Sequence, residues 1–367
     1  DNNDNDGNGG NGNGNEIENG TILKGTITSD VTLAAGNTYK LSGEYIVEEG
    51  ATLHIEEGVK IIAVYDDIAD YILVKQGGKI NAVGTPDKPI VMTSEKEEPG
   101  AWGGIHICGR AHTNAEGGKG SSEIGGAVYG GNDDADNSGT LQYIRLEYTG
   151  FAFDEEHEAN GISFYGVGNG TIVDHCQAYK GSDDGFEFFG GSVNVSNLVA
   201  VSCSDDSFDW TEGWNGKGTN LVAYQEDKST LGYDCDCLME CDNNGSNNAA
   251  TPVAHPVLKN LILVGNGGSK QGIRLRAGTE VEIDNAKVCG KGQPLTVETA
   301  LTENALKNGT SKLTNITLTS ELSSKEGIYT HADFIAVTSN KVDANLSYSS
   351  FEDIRKECSW MNGSWVK

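Results

Sequence analysis

The chain has few basic residues, little proline and no long apolar run. Its 367 residues include 26 Lys and Arg against 54 Asp and Glu, for a formal net charge of −28. Affinity for phosphate and anionic lipid comes from clustered Lys and Arg, so nucleic acid and anionic membrane surfaces are excluded as expected partners. No apolar run reaches the roughly 18 residues of a membrane-spanning helix, so none is predicted.

The cysteines include no Cys-Xaa-Xaa-Cys pair, which argues against a zinc ribbon. There are eight of them, and Cys235, Cys237 and Cys241 lie in one acidic segment. One interpretation is a site for a soft metal. The favoured one is one or two disulfides, with Cys203 placed by the repeat to bridge Cys235. Disulfides would favour an oxidising, extracytoplasmic location.

Glycine is abundant, at 50 residues, and the stretch from Gly181 to Gly213 contains one pattern twice. Ser182–Phe188 reads SDDGFEF and Ser204–Trp210 reads SDDSFDW, 22 residues later. The aromatic–acid–aromatic triplet alternates with period two, which is typical of a short strand with one buried face. A strand recurring after this interval indicates successive coils of a solenoid.

Similar short strands recur along the chain, and a second family of apolar segments, such as Ile172 to Tyr179, precedes them. These features predict an all-β, right-handed parallel β-helix. One column of side chains is predicted to point inward: Ile105, Ile162, Phe186, Phe208, Leu238, Ile273 and Ile328. The neighbouring column is predicted to point outward: His106, Ser163, Glu187, Asp209, Met239, Arg274 and Tyr329.

The chain is predicted to have three parts. Residues 1–19, rich in Asp, Asn and Gly, are expected to be a disordered tether. Residues 20–345 form the β-helix, with a long side loop at 113–139 and a helix at 296–308. Residues 346–367 contain a helix at 350–361, which is expected to cap the exposed strand edges at the end of the coil.

The segment from Gly50 to Gly109 carries three motifs in order: Ala51-Thr-Leu-His-Ile55, Gly78-Lys-Ile-Asn-Ala-Val-Gly-Thr-Pro-Asp-Lys-Pro-Ile-Val-Met-Thr-Ser94, and Trp102-Gly-Gly-Ile-His-Ile-Cys-Gly109. This order resembles the parallel β-helix surface lipoproteins of Bacteroidetes-type bacteria, within the pectate-lyase-like superfamily. The resemblance implies a cell-surface, outer-membrane location and a lipid anchor before the Asp/Asn/Gly segment. It implies no particular activity.

The acidic residues of the repeat are the leading candidate site. Carboxylates on adjacent coils lie about 4.8 Å apart, where two like charges repel by about 3 kcal/mol at an effective dielectric constant near 20. Ca²⁺, which takes oxygen ligands, would relieve this repulsion. The alternatives are raised carboxyl pKa values and turn-forming Asp side chains that accept hydrogen bonds from the backbone. The predicted calcium ligands are Asp183, Asp184, Asp205, Asp206 and Asp209.

Catalysis is a further interpretation, since hydrolases of this fold class carry Asp residues on adjacent coils. The candidates are Asp183, Asp184, Asp205 and Asp206, with Arg274 in a Gly-Ile-Arg-Leu-Arg segment that resembles the Arg-Ile-Lys element of polygalacturonase-like enzymes. Their Gly-His-Gly element is missing. Fold resemblance alone does not establish activity.

Trp214 follows the second repeat and is predicted to be a surface platform for a sugar, beside Glu187 and Asp209. The leading functional hypothesis is a monomeric cell-surface module that binds a glycan or a surface protein, with Ca²⁺ at the acidic coils. The alternatives are a polysaccharide lyase or glycoside hydrolase, and a purely structural stalk.

Overall fold

The computed structural model describes residues 15–367, which form 27 β-strands and four α-helices. The strands up to the long side loop are Asn15–Ile17 (β1), Ile22–Ile27 (β2), Val31–Leu33 (β3), Thr38–Val47 (β4), Thr52–Ile55 (β5), Lys60–Ala63 (β6), Tyr71–Val74 (β7), Lys79–Val83 (β8), Ile90–Ser94 (β9) and Ile105–Cys108 (β10). The loop holds the 3-10 turn Glu116–Gly118 and the strands Gly120–Ser121 (β11) and Val128–Tyr129 (β12).

The second half of the chain is more regular. Its strands are Gly139–Glu147 (β13), Ile162–Tyr165 (β14), Ile172–Tyr179 (β15), Phe186–Phe189 (β16), Asn194–Val201 (β17), Phe208–Thr211 (β18), Lys217–Tyr224 (β19), Met239–Asp242 (β20), Val257–Val264 (β21), Gln271–Arg276 (β22), Glu282–Cys289 (β23), Gln293–Val297 (β24), Lys312–Leu318 (β25), Ser323–Ser324 (β26) and Lys341–Val342 (β27). The helices are Lys228–Leu231 (α1), Ala300–Lys307 (α2), His331–Ala336 (α3) and Phe351–Glu357 (α4), followed by a 3-10 turn at Ser359–Met361.

Every strand of the main sheet pairs in parallel with a strand of the next coil. From β13 onward each coil has one long and one short strand, so that β14 pairs with β16 and β15 with β17. In the preceding coil β8 and β9 take the place of the two halves of β13. The parallel β-helix predicted from the repeats is confirmed. Residues 1–14 of the predicted tether lie outside the described residues, and the boundary at residue 19 is too late, because Asn15–Ile17 form β1 and pair with β3.

The short strands stack in the predicted register, with two errors. Ile105, Ile162, Phe186 and Phe208 are aligned and buried as expected. The next partner of Phe208 is Met239, not Leu238, so the outward partner of Asp209 is Glu240. Leu238 is also apolar and buried, which is why the sequence did not fix the register. Ile328 was also wrongly placed, because it lies in a bend after β26.

Each long strand bends at one residue with positive φ. In successive coils this residue is Tyr143, His175, Asn197, Asn220, Asn260, Asn285 and Asn315. Asn tolerates the left-handed region better than most residues, because its short polar side chain can hydrogen-bond locally. Its amides also stack: Asn220 donates to Asn197 at 2.9 Å, and Asn260 donates to Asn220 at 3.1 Å. This asparagine ladder fixes the bend from coil to coil.

Stacked aromatic rings fill the centre of the solenoid. The ring centroids of Phe186 and Phe208 are 5.6 Å apart, and those of Phe164 and Phe188 are 5.0 Å apart. The predicted disulfides are wrong, because all eight cysteines are buried free thiols. Cys203 packs in the main core, whereas Cys235 lies outside it. Cys241 also faces the core, so the three clustered cysteines do not converge on one metal site.

The helix predicted near the C-terminus is present as α4, but it packs against a side of the solenoid. Its Ile354 joins a cluster with Val199, Val222 and Trp365, formed by outward side chains of the long strands. The last coil is instead closed by the segment containing α3, where Phe334 enters the main core. The predicted helix at 296–308 is shorter, because residues up to Val297 belong to β24.

No helix among residues 15–367 has the length and apolar character needed to cross a membrane.

Candidate functional site

The acidic residues of the repeat come together at the start of two adjacent short strands. Asp183 and Asp184 occupy the turn before β16, and Asp205 and Asp206 occupy the equivalent turn before β18. The second residues of β16 and β18, Glu187 and Asp209, point outward in register. We call these six residues the acidic strip. Strand alternation explains the outward direction, because both flanking aromatic residues of each strand are buried.

One carboxylate oxygen in each turn caps the backbone of the following coil. The amide N–H of Asp206 donates to Asp184 Oδ1 at 3.0 Å, and that of Cys237 donates to Asp206 Oδ1 at 2.9 Å. In the preceding coil Asn160 has the same role, accepting from the Asp184 N–H at 3.2 Å. Capping therefore accounts for one oxygen each of Asp184 and Asp206, but for none of Asp183, Asp205 or Asp209.

Two groups of carboxylates have the spacing of a cation site. Asp183, Asp184 and Asp205 form one group, in which the ligand oxygens lie within 4.8 Å of one another. Asp184, Glu187 and Asp209 form the second, with the same limit. Asp184 is shared, so the two groups are adjacent. The predicted ligand Asp206 is not in either, because it lies with Cys237 and Glu240 in a third group.

Burial strongly disfavours ionisation of the strip. It raises the pKa of Glu187 to about 8 and that of Asp205 to about 6, and neighbouring carboxylates add to both effects. The pKa of Asp183 is raised to about 10 by burial and by Glu187 and Asp205. Burial also holds the pKa values of Asp184, Asp206 and Asp209 well above their usual range. Without a cation, most of these groups would be protonated at neutral pH.

The nearest basic residues are already paired. Arg274 follows Glu240 in the outward column, and its guanidinium contacts Glu298 at 3.2 Å. Arg276 contacts Asp242 at 2.7 Å and also Glu240. These ion pairs neutralise the carboxylates of β20, but they leave the acidic strip on β16 and β18 without a cation. The sequence missed Glu240, because it placed Met239 between Asp209 and Arg274.

The neighbouring coils on the other side are covered. His106 and Tyr165 continue the outward face and are buried beneath the loop containing Ile124 and Tyr129. Burial lowers the pKa of His106 to about 4. Asn160 lies at the border and donates to Glu187 at 2.7 Å. The sequence did not identify Asn160 as a site residue. It stands three residues before the outward Ser163, as Asp184 and Asp206 stand three residues before Glu187 and Asp209.

Trp214 is not the surface platform that was predicted. It is 1% exposed, and its ring stacks on Phe188 with a centroid distance of 4.0 Å. Its indole N–H donates to the Val193 carbonyl oxygen at 3.0 Å. The glycine-rich turn after β18 directs this side chain back into the core. The structure therefore brings together Glu187 and Asp209, but not Trp214, of the predicted ligand-binding residues.

A family model described as "Pectate-lyase like beta helix domain" matches residues 25–366. No curated protein and no solved structure matches the chain.

Proposed function

Because the chain belongs to the pectate-lyase-like β-helix family, we propose that it is an extracytoplasmic binding module that holds Ca²⁺ at the acidic strip and binds a glycan there. The observation that carries this proposal is the pair of adjacent carboxylate groups that share Asp184 and have no basic partner. Carboxylates confined at this spacing require a counter-ion or protonation, since each adjacent ionised pair costs about 3 kcal/mol.

The chemistry of the donors favours Ca²⁺ over other cations. All five side chains of the two groups offer oxygen, and Ca²⁺ takes six to eight oxygen ligands in flexible geometry. Mg²⁺ prefers a smaller octahedral site and retains its waters, so it should bind less tightly. The third group contains the Cys237 thiol and suits a softer ion. The ligands Asp183, Asp184, Glu187, Asp205 and Asp209 leave coordination positions for hydroxyl or carboxylate oxygens of a glycan.

A glycoside hydrolase is the second candidate, favoured by the contrast in protonation within the strip. A buried carboxyl such as Glu187, whose pKa is raised to about 8, can serve as a general acid at neutral pH. Asp205, whose pKa is raised only to about 6, can serve as the base. A lyase is disfavoured, because Arg274, the basic residue among the catalytic candidates, is held by Glu298 and Glu240.

The location and anchoring of the module are part of the same proposal. The motifs between Gly50 and Gly109 support a surface lipoprotein whose lipid anchor precedes the Asp/Asn/Gly segment, with a surface protein as an alternative partner. We expect a monomer. Protease treatment of intact native cells would test surface exposure, and retention of the protein inside the cells would contradict it.

Calcium titration of the purified protein by calorimetry tests the binding site. Wild type should bind Ca²⁺, and Asp205→Asn with Asp209→Asn should abolish most of the binding. Asp87→Asn, which changes an exposed carboxylate far along the chain, is the matched control and should bind as wild type does. Metal analysis before chelation would show whether the purified protein already holds an ion, and analysis after chelation would show whether it has been removed. Absence of binding by fully chelated wild type would refute the calcium site.

A glycan array probed with and without Ca²⁺ tests the function of the site. Binding that requires Ca²⁺ and is lost with Asp209→Asn supports the module. If the protein releases reducing ends from a bound polysaccharide, and Glu187→Gln abolishes this release, a glycoside hydrolase would replace the binding module as the proposed function. No glycan binding in either condition would contradict glycan recognition and leave a protein partner or a structural stalk as the explanations.

A further inference from the structure

A cavity of about 320 Å³ lies on a different face, between the C-terminal segment and the long strands. We propose that this cavity is a second binding site, for a neutral sugar residue. Its wall is Trp360, its floor includes Val222 and Ile262, and its polar side is formed by the asparagine ladder. The volume is at the lower end of the range for small-molecule sites, about 300–1,000 Å³. The site goes beyond the proposed function, because it requires neither Ca²⁺ nor the acidic strip.

The aromatic wall is held in place before any ligand binds. Ile354 and Met361, on either side of the segment that carries Trp360, are both fully buried. The Arg355 guanidinium donates to the carbonyl oxygens of Met361 at 3.4 Å and Gly363 at 3.2 Å. These contacts fix the backbone that carries Trp360, so little backbone entropy would be lost on binding.

The asparagine ladder supplies both donors and acceptors to the cavity. Asn260 donates to Asn220 at 3.1 Å, and Asn285 donates to Asn260 at 2.8 Å. Each amide has two N–H donors, and the ladder uses one of them. Asn315 of the next coil donates to Asp284 at 2.7 Å instead, so the ladder ends at Asn285. The Asn285 carbonyl oxygen therefore lacks the ladder partner that its neighbours have.

The charges at the cavity cancel. Lys287 and Glu357 form an ion pair at 3.3 Å, and both side chains line the cavity. The site therefore offers a flat aromatic face, several neutral amides and one neutral ion pair. A pyranose ring matches this set, because it has an apolar C–H face and hydroxyl groups that both donate and accept. An anion or a cation would find no net opposite charge.

Fluorescence gives a direct test, because Trp360 differs in exposure from the other four tryptophans. Trp102, Trp210, Trp214 and Trp365 are each at most 1% exposed, whereas Trp360 is half-buried. Acrylamide should therefore quench mainly Trp360. The probes are short neutral oligosaccharides of glucose, mannose, galactose or xylose, added in the presence of EDTA. At least one of them should protect the accessible fluorescence from quenching, and Trp360→Phe should remove that protected component.

Calorimetry with the protecting sugar would separate the site from the acidic strip. Trp360→Ala should weaken binding at least tenfold, and Asn285→Ala should weaken it measurably. In EDTA, Tyr65→Ala, which removes another exposed aromatic ring, and Asp87→Asn, which removes an exposed carboxylate, should both bind as wild type does. Protection by no neutral sugar, or binding unchanged in Trp360→Ala, would overturn the proposal. Loss of Ca²⁺ binding elsewhere would not affect this result, so failures of the two sites are distinguishable.

Discussion

Replacement of Asp184 by Asn should make the protein more stable in the absence of divalent cations. Asp184 is shared by both carboxylate groups, and its Oδ1 accepts the backbone N–H of Asp206. Asn retains an oxygen that can accept this bond, as Asn160 does one coil earlier. The substitution therefore removes an ionisable group while preserving the cap.

The magnitude follows from proton linkage. Burial holds the pKa of Asp184 well above its usual range, so the folded protein keeps a proton that the unfolded chain releases above about pH 4. A carboxyl whose pKa is raised on folding contributes stability that is lost as pH rises from the unfolded pKa towards the folded one. The loss is about 1.4 kcal/mol per pH unit for one group. Between pH 5 and pH 7 Asp184→Asn should therefore make the decline of stability with pH less steep, by up to about 1.4 kcal/mol per pH unit.

Chemical unfolding in EDTA at several pH values between 5 and 8, followed by tryptophan fluorescence, would measure the effect. Wild type should lose stability as pH rises, and Asp184→Asn should lose less per pH unit. Ca²⁺ at a hundredfold excess over Kd should raise the unfolding free energy of wild type by about 2.7 kcal/mol. It should raise that of the variant only slightly. Asp87→Asn should follow wild type throughout. A wild-type stability that is flat or rises with pH in EDTA would refute the reasoning.

Three further changes test the fold and its ion pairs. Phe208→Ala should lower the unfolding free energy by about 3–5 kcal/mol, because it leaves a cavity in the aromatic stack; equilibrium unfolding would measure this, and a loss below 1 kcal/mol would contradict the stack. In thermal unfolding, Asn220→Ala should lower the stability more than Asn220→Gly, because Ala is strained at φ 60° by about 1–2 kcal/mol. Equal losses of stability would show that only the ladder hydrogen bond matters. Arg276→Met should destabilise the protein more at pH 8 than at pH 5, since it leaves Asp242 without its cation and Glu240 with only the more distant Arg274; a pH-independent loss would contradict this.

The sequence was sufficient to predict the solenoid and most of its inward column. The repeat between Ser182 and Trp210 places Phe186 above Phe208 without a gap, so period-two alternation determines which side chains point inward. The prediction failed where this alternation was ambiguous. Leu238 and Met239 are adjacent and both buried, and the turn before them contains an insertion. A shift of one residue then replaced Glu240 by Met239 in the outward column.

Long-range packing accounts for the other errors. A tryptophan after a strand is as compatible with a surface platform as with a turn directed into the core, and only the contact with Phe188 decides between them for Trp214. The helix at the C-terminus was predictable from its own periodicity. Its position was not, because the apolar residues it covers, such as Val199 and Val222, lie on long strands more than a hundred residues earlier.

The outward face of the short strands changes character along the solenoid, and this change confines the candidate site. The first part is apolar and buried beneath a loop, as at Tyr165. The last part is ion-paired, as at Arg274 with Glu298. On the two coils that carry Glu187 and Asp209, no ion pair joins these outward carboxylates to a basic residue among residues 15–367. A structural stalk requires neither the burial of these carboxylates nor their placement on adjacent coils. A cation that shares the site with these carboxylates would account for both features.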